Sequence, residues 1–239
     1  MLQPPVISEA KPGGAETAAR TTMLRSLRHL VRGLVTIFWS LPLALLVCVE
    51  GAATDWLRPL GVFPPVVATA LLFYGLGETA WFQPQERVWQ AALERSRVLA
   101  LVNLGLSPFI FFWNRFPDEP FFAHSVQTLM VTGILFLGSL NYFLQRLAAM
   151  LPDETLREET RFFTGLNLYL LIGIFAVAAL IPVLPSFDLP RKLDLIVNLL
   201  LEGRRQVLLT MLLLPLAMTM TLVWKTKEVV LSSVFGGAE

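Results

Sequence analysis

Apolar positions in this chain come in long blocks rather than in strict alternation, and the blocks have membrane-crossing length. Six stand out, near residues 33–49, 62–82, 98–113, 126–150, 162–183 and 207–224. A helix rises 1.5 Å per residue, so about 20 apolar residues cross a hydrocarbon core roughly 30 Å thick. The pattern therefore predicts an all-α, polytopic integral membrane protein with about six transmembrane helices. Pro42, Pro64, Pro65, Pro108, Pro182 and Pro215 fall inside these blocks. Bilayer helices tolerate proline where neighbouring helices satisfy the released carbonyls, so kinks are expected there.

Between the blocks the apolar residues recur at helical spacing, with charge on the opposite face. In 21–32, Leu24, Leu27, Leu30 and Val31 share a side, and Arg25, Arg28 and Arg32 point away from it toward lipid headgroups. The segment near 85–97 carries Val88, Trp89, Ala92 and Leu93 on one side. The segment near 190–203 carries Leu193, Ile196, Leu199 and Leu200 between charged ends. All three read as helices lying in the membrane interface. Residues 1–20 hold proline, glycine and charge without an apolar period and read as a flexible tail, which leaves 21–239 as a single helical membrane domain. The apolar run before Glu50-Gly51-Ala52-Ala53 imitates a cleaved leader, but the arm preceding it is too long for one.

Composition agrees with the membrane class. Of 239 residues, 55% are hydrophobic and 15% charged, against about 45–50% and about 25% in an ordinary soluble domain. A net charge of +1 gives no global field for nucleic acid. Lys and Arg in the connections fall thirteen to one side and six to the other, which places both termini in the cytoplasm of an inner-membrane protein. The fifth connection opposes the trend with four basic residues, and a dip of 190–203 into the bilayer would change the count. Tryptophans 39, 56, 81, 113 and 224 lie near span ends, as interface anchors do.

Candidate chemistry is sparse. One cysteine, Cys48, and two distant histidines, His29 and His124, supply too few ligands for a disulfide framework or a transition-metal centre, and no cofactor is expected. No phosphate loop, zinc helix or nucleophile elbow occurs. Glu78 is the most deeply embedded acid. It is either a functional carboxylate or a side chain one turn from the span end that reaches a headgroup or a loop arginine. Its fragment, Gly75-Leu76-Gly77-Glu78, resembles the GxGD signature of intramembrane aspartyl proteases, but glutamate stands at the fourth position and no second membrane aspartate accompanies it.

Gln127, Asn141 and Gln145 share a stripe of the fourth block with Gly138, Gly133 lies nearby, and Asn167 sits in the fifth. With Glu78 at an inner mouth they make a candidate polar seam, either lining a solute path or bonding across helices. A third set, Asn114, Arg115, Asp118, Glu119 and His124, reads as a tight aromatic turn or an acid–base cluster.

The most charged run is 151–163. Asp153 and Glu154 suit a helix start, Thr155 and Glu158 have capping-box spacing, and Asp153–Arg157 and Glu158–Arg161 have the spacing of ion pairs. Arg157, Glu158 and Arg161 form a candidate docking surface. The chain is thus expected to be a non-catalytic membrane scaffold or accessory subunit whose partners are the bilayer and another membrane protein or a second copy. The alternative is a small transporter or channel built on the polar seam.

Overall fold

The structure, a computed structural model, describes residues 12–54, 57–83, 85–151, 153–180 and 204–235. Among them there is helix and turn and no strand. Seven α-helices follow in order: α1 Pro12–Ala53, α2 Phe63–Thr79, α3 Arg87–Leu106, α4 Phe109–Arg115, α5 Pro120–Met150, α6 Glu154–Leu180 and α7 Arg204–Phe235. Four stretches, Thr21–Ala52, Arg87–Arg115, Pro120–Met150 and Glu154–Val177, are long and apolar enough to cross a membrane. Only 17% to 39% of the most apolar window of each is buried inside the bundle. Much of the rest is exposed, as in Trp39, Leu46, Val98, Leu135, Phe162, Tyr169 and Ile172. That much exposed hydrocarbon suits a lipid surrounding.

α1 pairs most closely with α2 and also borders α4 and α7. α3 stands between α2 and α5, α5 meets α7, and α6 leans on the groove between α5 and α7. Leucines 27, 30 and 34, Ile37, Leu41 and Ala44 form the buried stripe of α1 at alternating steps of three and four. They meet Leu76 of α2, Leu140, Phe143, Leu144 and Leu147 of α5, and Leu222 and Val223 of α7 in one core.

Hydrophobic burial cannot hold helices together where lipid tails are equally apolar, so small residues and interhelical hydrogen bonds matter more. At the α1–α2 crossing both are present. A Cβ on Gly33 would lie 2.5 Å from Thr79 Cγ2 and 2.7 Å from the Gly75 carbonyl oxygen, and one on Gly75 would lie 2.9 Å from Ile37 Cγ1. Elsewhere hydroxyls and amides tie the helices. Ser96 and Ser139 join α3 to α5 at 2.8 Å, Thr132 donates to Asn103 Oδ1 at 2.6 Å, and Asn114 of α4 donates to the carbonyls of Gly51 and Thr54.

The structure redraws several boundaries. The basic segment 21–32 is not a separate interfacial helix: α1 starts at Pro12, inside the stretch expected as a tail, and runs unbroken to Ala53. Of its expected apolar side, Leu27 and Leu30 enter the core while Leu24 stays exposed. Segment 85–97 likewise continues into the third span as α3. Its apolar side, with Trp89, Ala92 and Leu93, turns into the bundle, where the Trp89 indole lies tilted against the Phe143 ring with centroids 4.5 Å apart and donates to the Phe82 carbonyl.

The prolines act by position. Pro64 and Pro65 open α2, where the missing N–H costs nothing. Pro108 separates α3 from α4. Pro42 and Pro215 lie within helices that continue through them. Pro182 and the segment 190–203 lie outside the described residues.

Candidate functional site

Among the described residues, a buried polar cluster forms where α5, α6 and α7 meet. Thr219 sits one turn beyond Pro215, and its hydroxyl donates to the Pro215 carbonyl at 2.8 Å, the usual back-bond of a helical threonine. The same oxygen accepts from Asn141 Nδ2 of α5 and from Asn167 Nδ2 of α6, each at 2.9 Å. A hydroxyl has one proton to give and two lone pairs to offer, so Thr219 is fully used.

The second amide hydrogens are used as well. Asn141 Nδ2 donates to the Leu137 carbonyl at 2.8 Å, and Asn167 Nδ2 to the Pro215 carbonyl at 3.2 Å. Thr164 of α6 donates to the Asn141 carbonyl at 3.4 Å. Asn141, Asn167 and Thr219 are all essentially inaccessible. What the donors leave over is acceptor capacity: Asn141 Oδ1, Asn167 Oδ1 and, two turns along α6, Thr160 Oγ1 are buried without a partner. The cluster holds no ionisable group, so it joins three helices by hydrogen bonds and has no proton to move.

Of the expected seam, this junction brings together Asn141 and Asn167. Gln127 lies fourteen residues before Asn141, about 21 Å along α5, and is exposed. Gln145 is half-buried one turn past Asn141, and neither glutamine bonds to the junction. Gly133, expected to aid packing here, has open space around it.

Glu78 belongs to a different interface. It lies on α2, its carboxylate 2.9 Å from Nδ1 of His29 on α1, and the His29 ring lies 6.0 Å from that of Trp81. Its bonded partner is thus a histidine 49 residues away, and Tyr74 and Arg32 also face the carboxylate. Arg25, Arg28 and Arg32, expected at the headgroups, are exposed on α1.

The charged run at 151–163 begins α6, as its composition indicates, but with a different cap. Asp153 is the capping residue: Oδ1 accepts the backbone N–H of Leu156 at 3.2 Å. Thr155 is already inside the helix, so the expected Thr155–Glu158 box does not form. The bond to the Leu156 N–H, with a further one from Thr155, holds the Asp153 carboxyl below its ordinary value.

Neither expected ion pair, Asp153–Arg157 or Glu158–Arg161, is present; instead Glu159 pairs with Lys225 of α7. A cleft of about 220 Å³ opens beside this pair, lined by Asp153, Thr155, Leu156, Glu159, Lys225, Glu228 and Val229. Arg157, Glu158 and Arg161 are exposed on the outer side of α6. In the third connection, Asn114 is spent on α1 and Arg115 lies over the Phe116 ring, so no acid–base cluster assembles there.

Sequence reading passed over Thr219, Thr164 and Glu159. A threonine one turn after a mid-helix proline in an apolar block is the available signal for the first, since its hydroxyl is anchored and has lone pairs to spare. Comparison with protein-family models, with curated protein sequences and with solved structures finds no match.

Proposed function

We propose that this chain is a non-catalytic scaffold or accessory subunit of a membrane assembly. Six spans, both termini in the cytoplasm of an inner membrane and a membrane-protein partner or second copy belong to the same reading. The observation that carries it is how the polar groups are used. Inside the bundle, the amide hydrogens of Asn141 and Asn167 and all the hydrogen-bonding capacity of Thr219 go to tying its own helices together. Outside it, Arg157, Glu158 and Arg161 form no ion pair among the described residues and face outward from α6. A charged, solvent-facing row on a helix that leans on the bundle from one side suits electrostatic recognition of another protein.

The experiment is isolation of the full chain in mild detergent, with quantitative mass spectrometry of what accompanies it. A stoichiometric partner or a defined homo-oligomer is expected, and Arg157→Ala with Arg161→Ala should reduce its recovery severalfold. A monomer with no companion refutes the reading, and unchanged recovery removes the row on α6 from it.

A small transporter or channel is the second reading. It is supported by the two unpartnered amide oxygens beside Pro215, because polar groups buried among membrane helices can mark a solute path. Flux into liposomes that falls on Asn141→Leu with Asn167→Leu would favour it, and absence of flux in the unmodified protein would remove it.

A further inference from the structure

α2 is flanked by two arginines at one height. The Arg32 guanidinium of α1 lies 5.8 Å from the Tyr74 ring centroid, and that of Arg97 of α3 lies 5.8 Å from the ring of the adjacent Phe73. Both distances lie within the range at which an aromatic face attracts a guanidinium. Neither arginine has a carboxylate within ion-pair distance among the described residues, although Arg32 also faces the Tyr74 hydroxyl and the Glu78 carboxylate that bonds to His29. Arg97 Nε is buried without an acceptor. So is Nε2 of Gln90, two turns back on the same face of α3. A buried N–H without an acceptor costs roughly 1–3 kcal/mol, so this end of the α2–α3 pair is short of acceptor oxygens.

On the other side of the arginines, α2 presents hydrocarbon. Phe63, Val67, Leu71 and Tyr74 are exposed at steps of four, four and three, a continuous stripe along the helix ending at the height of the two arginines. Apolar rail, aromatic ring, then two cations, Arg97 with an unfilled donor, is the order of chemistry along a phospholipid from acyl chain to phosphodiester. Arg28 and Arg25 extend the positive charge on α1 further in the same direction.

We propose that α1, α2 and α3 form a seat for one anionic phospholipid, its phosphodiester held between Arg32 and Arg97 and an acyl chain lying along Phe63, Val67 and Leu71. The seat is independent of partner binding through α6.

The test uses the full chain in mild detergent, with lipid retention read by native mass spectrometry after addition of phosphatidylglycerol or phosphatidylcholine. Phosphatidylglycerol should be retained and phosphatidylcholine lost. Arg32→Gln with Arg97→Gln should lower phosphatidylglycerol retention at least about tenfold, the loss of charge-assisted hydrogen bonds. Arg157→Gln with Arg161→Gln, which removes the same charge elsewhere, should not lower it.

Equal retention of the two lipids, wild-type retention by the Arg32/Arg97 variant, or an equal fall in the Arg157/Arg161 variant would overturn the seat. Displacement of the lipid by millimolar inorganic phosphate would overturn the lipid as its occupant. If the glutamine pair does not fold, Arg32→Lys with Arg97→Lys decides: it keeps the charge but loses the stacked planar fork. A fall in retention then supports the seat, and wild-type retention overturns it.

Discussion

Replacing Gly33 by alanine asks whether α1 and α2 touch as closely as their backbones indicate. The added methyl would stand 2.5 Å from Thr79 Cγ2, 2.7 Å from the Gly75 carbonyl oxygen and 3.0 Å from the Thr79 nitrogen. Two of those three atoms are backbone and cannot turn aside, so the helices must part by several tenths of an ångström along the closest pairing in the bundle. Overpacking of that kind costs about 1–3 kcal/mol, while exchanging glycine for alanine within a helix returns up to about 1 kcal/mol.

Gly133→Ala isolates the clash, because Gly133 sits in the interior of α5 with nothing within 4 Å of an added Cβ and gains the propensity alone. The two variants should therefore differ by about 1–3 kcal/mol, or roughly 2–12 °C in unfolding midpoint at 2–4 °C per kcal/mol. Cys48 is the chain's one thiol and half-buried in α1, so a thiol-reactive dye reports unfolding in detergent directly. Midpoints for Gly33→Ala and Gly133→Ala agreeing within about 1 °C would refute the close crossing.

Three further outcomes follow from the polar contacts. Thr219→Val keeps the shape but deletes the oxygen shared by Asn141 and Asn167; two interhelical bonds at about 0.6–1.7 kcal/mol each predict a loss of about 1–3 kcal/mol. Thr221→Val removes only an exposed back-bond to Ala217 and should leave the midpoint unchanged, so equal effects would count against a junction at Thr219. Lys225→Met should cost under about 1 kcal/mol, because the pair with Glu159 is some 40% exposed, and the effect should vanish in molar salt. The Asp153 carboxyl, held below its ordinary 3.8, is more acidic folded than unfolded. Its cap therefore contributes stability at pH values above the ordinary one and loses it as the pH falls through the depressed value. A carboxyl titration by NMR with a midpoint at or above 3.8 would contradict the bond to Leu156.

The helical class and the membrane character of four stretches were legible because apolar block length is a property of local sequence. So were Asn141 and Asn167 as polar groups out of place in hydrocarbon. Their acceptor was not legible, since Thr219 lies 78 residues from Asn141 and looks like any helical threonine. For the same reason Glu78 was seen while its partner His29 was not.

Amphipathicity misled in a consistent way. In 21–32 and 85–97 a polar face and an apolar face suggested helices lying flat. The same pattern arises when a spanning helix extends past the hydrocarbon and buries its apolar side against neighbouring helices, as Leu27, Leu30, Trp89 and Leu93 do. Spacing within the charged run pointed to neighbours on α6, whereas Glu159 was claimed by another helix.

The unbroken course of α1 sets a distance. Forty-two residues of helix extend about 63 Å, roughly twice a hydrocarbon core, with no hinge between the apolar half and the basic half. Pro12 therefore lies about 30 Å beyond Arg32 along the helix axis. A group bound at the first turns of that helix would stand off from the arginines by that length, and inserting or removing residues between them would change both the reach and, by about 100° per residue, the direction in which it faces.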